Sequence, residues 1–229
     1  MRKLGLIGGL SWFSTARYYE IINRNVNRAL GGFHSAPLVI ESLDFAEVAR
    51  CTSADDWDCA ASQVTGAAMR IEAAGAEALL ICANSMHKVY DQVQSSISIP
   101  IIHIADVVGA KMQADGIRTA TLIGTRNVMT EKFYRQKLVS HGVSLTPPSA
   151  DRASEIDRII YEELMVGKAS RDSERTMKTY FTDISKGETQ AIVLACTELE
   201  MIVDVKANVL PIYDSTRLHA QAGADFILG

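Results

Sequence analysis

Short runs of apolar residues alternate along this chain with longer stretches in which apolar residues recur every three or four positions. The runs are KLGLIGG (3–9), APLVIESL (36–43), ALLICAN (78–84), IPIIHIAD (99–106), TATLIGT (119–125) and QAIVLAC (190–196). Between them lie stretches such as TARYYEIINRNVNRAL (15–30) and SADDWDCAASQVTGAAMRIEAAG (53–75). Continuous apolar runs fit strands buried on both faces, and the longer period fits amphipathic helices. The alternation therefore predicts the α/β class, with parallel sheets joined by crossover helices. Stop and start signals agree: Ser14 or Thr15 is placed to cap the first helix, and Ser53 or Asp55 the long helix that ends at Gly75. After Pro147-Pro148, Ser149 or Asp151 can start the helix carrying EIDRIIYEELMVG.

The chain also partly repeats itself. GLIG (5–8) recurs as TLIG (121–124), and LLICANS (79–85) recurs as IVLACTE (192–198), at nearly the same offset. Such a duplication predicts two similar α/β lobes facing each other, each presenting strand ends and helix N-termini at the carboxyl edge of its sheet, where α/β proteins bind ligands. Ala83 then falls opposite Cys196.

Composition narrows the function classes. The 229 residues are 48% apolar and 22% charged, with 5 Pro, which excludes a disordered chain. The net charge of −4 is spread along the sequence without a Lys/Arg run, so neither nucleic acid nor an anionic membrane is an expected partner. The start, MRKLGLIGGLSW, does not read as a leader, and no apolar stretch approaches the roughly 18 residues of a membrane span. A cytoplasmic protein is expected. Cys51, Cys59, Cys82 and Cys196 form neither a CxxC pair nor a metal-ligand cluster, and they are expected as buried or reactive thiols without disulfides.

The strand ends carry the candidate chemistry. Cys196 closes an apolar run and is followed by Thr197-Glu198 where a helix begins, a position whose dipole favours a thiolate that can act as a base. On the repeat partner, Asn84 and Ser85 offer side-chain hydrogen bonds, and the turn after them can receive a carboxylate. GGLSWFST (8–15) reads as a small-residue cradle for a carboxylate; it is neither GxGxxG nor a P-loop, so no dinucleotide or triphosphate is indicated. Arg126 in GTRN occupies the matching place in the second lobe. His34, His87, His103 and His219 pair with no carboxylate at a defensible spacing and read as structural. Arg50 and Lys168 are solvated charges or ligands of a substrate carboxylate.

GLIGGLSWFST, HSAPLVIESLDF, CANSMHK, LIGTR, the IIYEEL helix and ACTELE together resemble the aspartate/glutamate racemase family, in its broad-specificity amino-acid racemase branch, from Lys3 to about His219. The resemblance implies two Rossmann-like lobes with parallel sheets related by pseudo-twofold symmetry, over 1–98 plus 210–229 and over 99–209. The active site would lie in the cleft between them, in a homodimer that needs no cofactor. It implies removal of the α-hydrogen of an amino acid on one face and return of a proton to the other. Cys196 matches the second acid/base, and the residue before Asn84 matches the first. Gly9, Leu10, Asn84, Ser85, Thr125, Thr197 and Glu198 would bind the α-carboxylate and ammonium, with Arg50 and Lys168 reaching a side-chain carboxylate.

That first position is Ala83, which transfers no proton, and here the chain departs from the family pattern. Three explanations follow: replacement of a Thr or Cys, which the intact remainder of the motif favours; a one-thiol decarboxylase or cis-trans isomerase of a small dicarboxylic acid; or a catalytically dead amino-acid-binding protein. Cys82 is no substitute, because adjacent strand residues point to opposite faces.

Overall fold

A computed structural model describes residues 1–206 and 208–229. The chain forms two compact units, Met1–Ile104 with Thr216–Gly229, and Ala105–Ser215. In order along the chain are β1 (Leu4–Gly8), α1 (Trp12–Leu30), β2 (Leu38–Ser42), α2 (Phe45–Ser53), α3 (Trp57–Ala73), β3 (Ala78–Ile81), a 3-10 turn (Ser85–Val89) and α4 (Tyr90–Gln94). Then come α5 (Ile104–Ala114), β4 (Thr119–Gly124), α6 (Arg126–Thr130), α7 (Lys132–Ser140), β5 (Ser144–Leu145), α8 (Ala150–Glu162) and α9 (Arg171–Ser185). The chain closes with β6 (Ala191–Ala195), a 3-10 turn (Thr197–Met201), β7 (Ile212–Asp214) and α10 (Ser215–Leu228).

Each unit holds one parallel sheet, ordered β2-β1-β3 in the first and β5-β4-β6-β7 in the second. This is the α/β class. The repeated motifs occupy like places in their sheets: GLIG and TLIG are the central β1 and β4, and LLICANS and IVLACTE supply their neighbours β3 and β6. Every residue of β1, β3 and β6 is buried, the burial on both faces that a continuous apolar run announces.

The run 99–106, read as a strand, contributes only one parallel rung, Leu79 with Ile101, before α5 begins at Ile104. Leu79 N–H donates to Pro100 O and Ile102 N–H to Leu79 O, each at 3.0 Å, so this segment belongs to the first unit. β7 likewise pairs with β6 and belongs to the second. The breaks therefore fall at 104/105 and 215/216, later than the expected 98/99 and 209/210.

Two helix starts also differ. Ser11, not Ser14 or Thr15, caps α1 by accepting from Ser14 N–H at 3.4 Å, and Asp56, not Ser53 or Asp55, caps α3 by accepting from Cys59 N–H at 2.9 Å. Ser149 caps α8. The core face of α1 is Ser14, Tyr18, Ile22 and Val26, at helical spacing. α3 turns alanines and Ile71 onto β1, where a Cβ on Gly5 would meet Ile71 Cγ2 at 2.2 Å, so glycine allows the close approach.

Cys51 on α2 and Cys59 on α3 form a disulfide, with Cα atoms 5.6 Å apart. This corrects the expectation of four unpaired thiols: the two helices fold back on each other across Asp55, a turn that Cys spacing alone does not reveal. Such bonds are uncommon in reducing compartments, a tension with the expected cytoplasmic location. Among the described residues no helix is long and apolar enough to cross a membrane.

Inside the first unit, His219 of α10 is fully buried. Its Nε2–H donates to Ile102 O and its Nδ1 accepts from Tyr18 O–H, both at 2.8 Å, which defines a neutral ring. Burial, with His87 nearby, pushes its pKa down to about 3. The unfolded chain therefore binds one more proton than the folded protein between about pH 6.5 and pH 3, so stability falls as pH drops through that window and is unaffected above it. At about pH 4.5 the expected loss from this residue is on the order of 3 kcal/mol relative to neutrality. Urea unfolding of the parent and of His219→Gln across this range should show the variant losing less stability on acidification; parallel curves would refute the assignment.

Candidate functional site at the strand ends

The loop after β1 is closed by its own hydrogen bonds. Gly9 has φ +74°, and a Cβ there would sit 2.0 Å from Leu43 O, so only glycine fits. Its N–H donates to Thr15 Oγ1 at 2.8 Å, and that hydroxyl donates to Ser11 O at 3.0 Å. The Gly9 N–H, expected to hold a carboxylate, is thus engaged within the loop. Leu10 is buried against the core beside Ile7 and Val48.

At the end of β3 the two faces separate cleanly. Cys82 packs with Leu6, Leu80 and Ala224, and burial pushes its thiol pKa far up. Ala83, half-buried, packs on the opposite side with the cluster containing Ile7 and Ile81. Cys82 therefore cannot replace a proton-transfer group at 83. Asn84 is buried with its Oδ1 unpartnered, and Ser85, half-buried, opens the 3-10 turn.

In the second unit, Thr125 follows β4, buried, with its Oγ1 unpartnered. The next residue, Arg126, donates its backbone N–H to Asp157 Oδ1 of α8 at 2.7 Å while its side chain faces solvent. After β6, Cys196 Sγ donates to Glu198 Oε2 at 3.2 Å. Thr197 and Glu198 are buried, and Glu198 Oε1 is unpartnered.

The thiol is not activated as a helix N-terminus would suggest. The backbone N–H groups of Glu198 and Leu199 do favour the thiolate, but burial and then the charge of Glu198 outweigh them and raise the pKa well above the ordinary thiol value. The turn offering those donors is a single 3-10 segment, too short to build a large dipole. Tyr161 on α8, a member of the IIYEEL motif to which the sequence assigned no role, lies within the field of the pair: the residue is 47% exposed, yet partial desolvation of its phenol and the charges of Asp157, Cys196 and Glu198 push the pKa up to about 12. Its only sequence signal was an aromatic residue on a helix that otherwise presents Ile156, Ile159 and Ile160 to the core.

The two expected carboxylate-binding cations stand on the surface. Arg50 is exposed and paired with Glu47 at 2.8 Å. Lys168 is exposed just beyond Gly167, its N–H donating to Glu163 O at 2.9 Å. Among the described residues no group of three or more His, Cys, Asp or Glu is placed to hold a metal ion. The strand ends thus offer a thiol–carboxylate pair and three buried oxygens lacking partners, Asn84 Oδ1, Thr125 Oγ1 and Glu198 Oε1, each of which costs roughly 1–3 kcal/mol while unsatisfied.

The family profile for Asp/Glu/hydantoin racemases matches residues 7–223. A candidate Asp/Glu racemase from Yersinia pestis is 38% identical, with each chain fully covered and a TM-score of 0.94. An aspartate racemase homologue from Pyrococcus horikoshii is 28% identical, again over all of both chains, with a TM-score of 0.84. The broad specificity amino-acid racemase RacX of Bacillus subtilis is 21% identical over 73% of this chain and 72% of its own. The chain belongs to the Asp/Glu/hydantoin racemase family.

Proposed function

We propose that this protein is a cofactor-independent amino-acid racemase scaffold in which Cys196 and Glu198 form one proton-transfer unit and position 83 is the place of the other, disabled here by alanine. The observation that carries the proposal is the Cys196–Glu198 hydrogen bond, standing beside buried oxygens without partners at the ends of β4 and β6 and repeated in kind by Asn84 after β3. Family membership supplies the reaction class.

The proton inventory follows from the pair. Glu198 Oε2 takes the S–H proton, and the thiolate takes the α-hydrogen as a proton. The C–H electron pair stays on the α-carbon and spreads into the carboxylate of the substrate. Asn84 Oδ1 accepts from the substrate ammonium, and Thr125 Oγ donates to its carboxylate, satisfying two of the unpartnered atoms. Ser85, Thr197 and the N–H of Leu10 complete the carboxylate and ammonium ligands. Inversion requires a proton delivered to the other face, and the methyl group of Ala83 has none. Cys196 alone can return the proton only to the face it left, which exchanges hydrogen without inversion. An acidic substrate would recruit Lys168, or Arg50 in exchange for its Glu47 partner, so a broad range of side chains fits the resting arrangement better than a strict dicarboxylate.

Two measurements test this. Ala83→Thr and Ala83→Cys should gain racemisation, followed by circular dichroism and by α-proton exchange in deuterated water on both enantiomers of glutamate, aspartate and a broad panel. The gain should reach at least about 10²-fold over the unmodified chain, which should exchange one enantiomer only. Absence of exchange in both restored proteins with every amino acid would refute the racemase reading. In the Ala83→Thr background, Glu198→Gln should lower kcat by roughly 10²-fold or more. The same change should raise the thiolate fraction of Cys196 in the free protein roughly tenfold, because a carboxylate that opposes ionisation has gone. The thiolate ultraviolet absorbance reads the second effect, with Cys196→Ser as the blank; a midpoint that stays put or rises removes Glu198 from the unit.

A further inference from the structure

We propose that His87 is the positioning residue for position 83, its imidazole clamping the carbonyl of that residue and so fixing the direction in which side chain 83 projects. The proposal rests on the reading of residue 83 as a proton-transfer position. The ladder of β3 ends with Ile81, and the last tie to β1 is Cys82 N–H donating to Ile7 O at 2.9 Å. An α-helical continuation would satisfy Ala83 O with the N–H of residue 87. The chain instead enters a 3-10 turn in which His87 N–H donates to Asn84 O at 3.2 Å, leaving the Ala83 carbonyl outside the backbone pattern. The side chain of His87 reaches back to fill that gap, with Nδ1 2.9 Å from Ala83 O.

The other ring nitrogen fixes which proton is present. Ile104 N–H, at the first residue of α5, donates to His87 Nε2 at 3.2 Å, so Nε2 is the acceptor and Nδ1 carries the hydrogen given to residue 83. Only the neutral ring satisfies both bonds. The ring is buried and packed at centroid distances of 4.6 Å from His103 and 5.6 Å from His219. A rigid, buried, bidentate side chain therefore ties the loop of residue 83 to the N-terminus of α5. Among the described residues no side chain clamps Cys196 or Glu198 in this way; their turn has Leu199 N–H donating to Cys196 O at 3.3 Å, an ordinary backbone bond. A side chain at 83 has one short lever from the backbone, and misplacement by about 1 Å can cost on the order of 10²-fold in rate.

The test separates the two bonds in the Ala83→Thr protein. His87→Asn keeps an N–H at the level of Nδ1 and loses the partner of Ile104; His87→Gln keeps a polar group at the level of Nε2 and loses the donor to residue 83. Near-ultraviolet circular dichroism confirms that each is folded, and α-proton exchange is followed separately for the L and D forms of the substrate the parent turns over. His87→Gln should slow exchange of the enantiomer served by residue 83 by roughly 10- to 100-fold with KM little changed, leave the enantiomer served by Cys196 within about twofold, and be largely rescued in His87→Asn. Equal slowing of both enantiomers, no slowing of either, or equal defects in Asn and Gln would overturn the inference while leaving the racemase reading intact. A parent inert toward both enantiomers would instead overturn that reading, and the role of His87 with it.

Discussion

Burial of β1, β3 and β6 on both faces is the constraint on which the rest of this structure depends. A polar side chain within such a strand would be desolvated on either side without a partner, so chemistry is confined to the first residues past the strand end. Ala83, Asn84, Thr125, Cys196 and Glu198 all stand there. The unpartnered oxygens among them carry a desolvation cost that, on the proposed reading, a bound ligand would offset in proportion to its binding. A site of this kind is less stable empty than full.

The fold was largely legible because that constraint writes itself into the sequence as uninterrupted apolar runs. β1, β3, β4 and β6 could be read directly, and the repeat named one adjacent pair of strands in each sheet. β5 and β7 escaped because strands of two and three residues, at a sheet edge or following Pro211, leave no run to detect. The segment 99–106 looked like a strand for the converse reason. It is apolar and buried, but Pro100 lacks an N–H and α5 begins at Ile104, so only one rung forms.

The candidate site was legible in position and less so in chemistry. Cys196, Thr197 and Glu198 could be placed after β6 from pattern alone, and the opposite facing of Cys82 and Ala83 follows from strand alternation. Distances carry what pattern cannot. The contact between Cys196 and Glu198, the disulfide between Cys51 and Cys59, and the grip of His87 on residue 83 each depend on a turn whose geometry no spacing rule specifies. His87 read as a structural histidine because the groups that meet its ring nitrogens at Ala83 and Ile104 are backbone ones, which leave no mark in composition. Arg50 and Lys168 could be read as solvated charges or as carboxylate ligands because a charge near an element end is compatible with either role, and both stand exposed with no ligand-facing partner to mark the second.

Cys82 and Cys196 show what turns a buried thiol into a chemical group. Both lie at strand ends and both are held protonated by burial. For Cys82 burial is the whole account, and the thiol has nowhere to send its proton; it is a small apolar side chain. Cys196 has a carboxylate at 3.2 Å that raises its pKa further at rest and that is, on the proposed reading, the acceptor of its proton. On the proposed reading, the charge that suppresses ionisation in the empty site is one that a substrate ammonium held by Asn84 would partly offset, and Glu198 Oε1, buried and without a partner, is left to share it. Binding of an amino acid would then shift the pair toward the thiolate at the moment a C–H bond is presented.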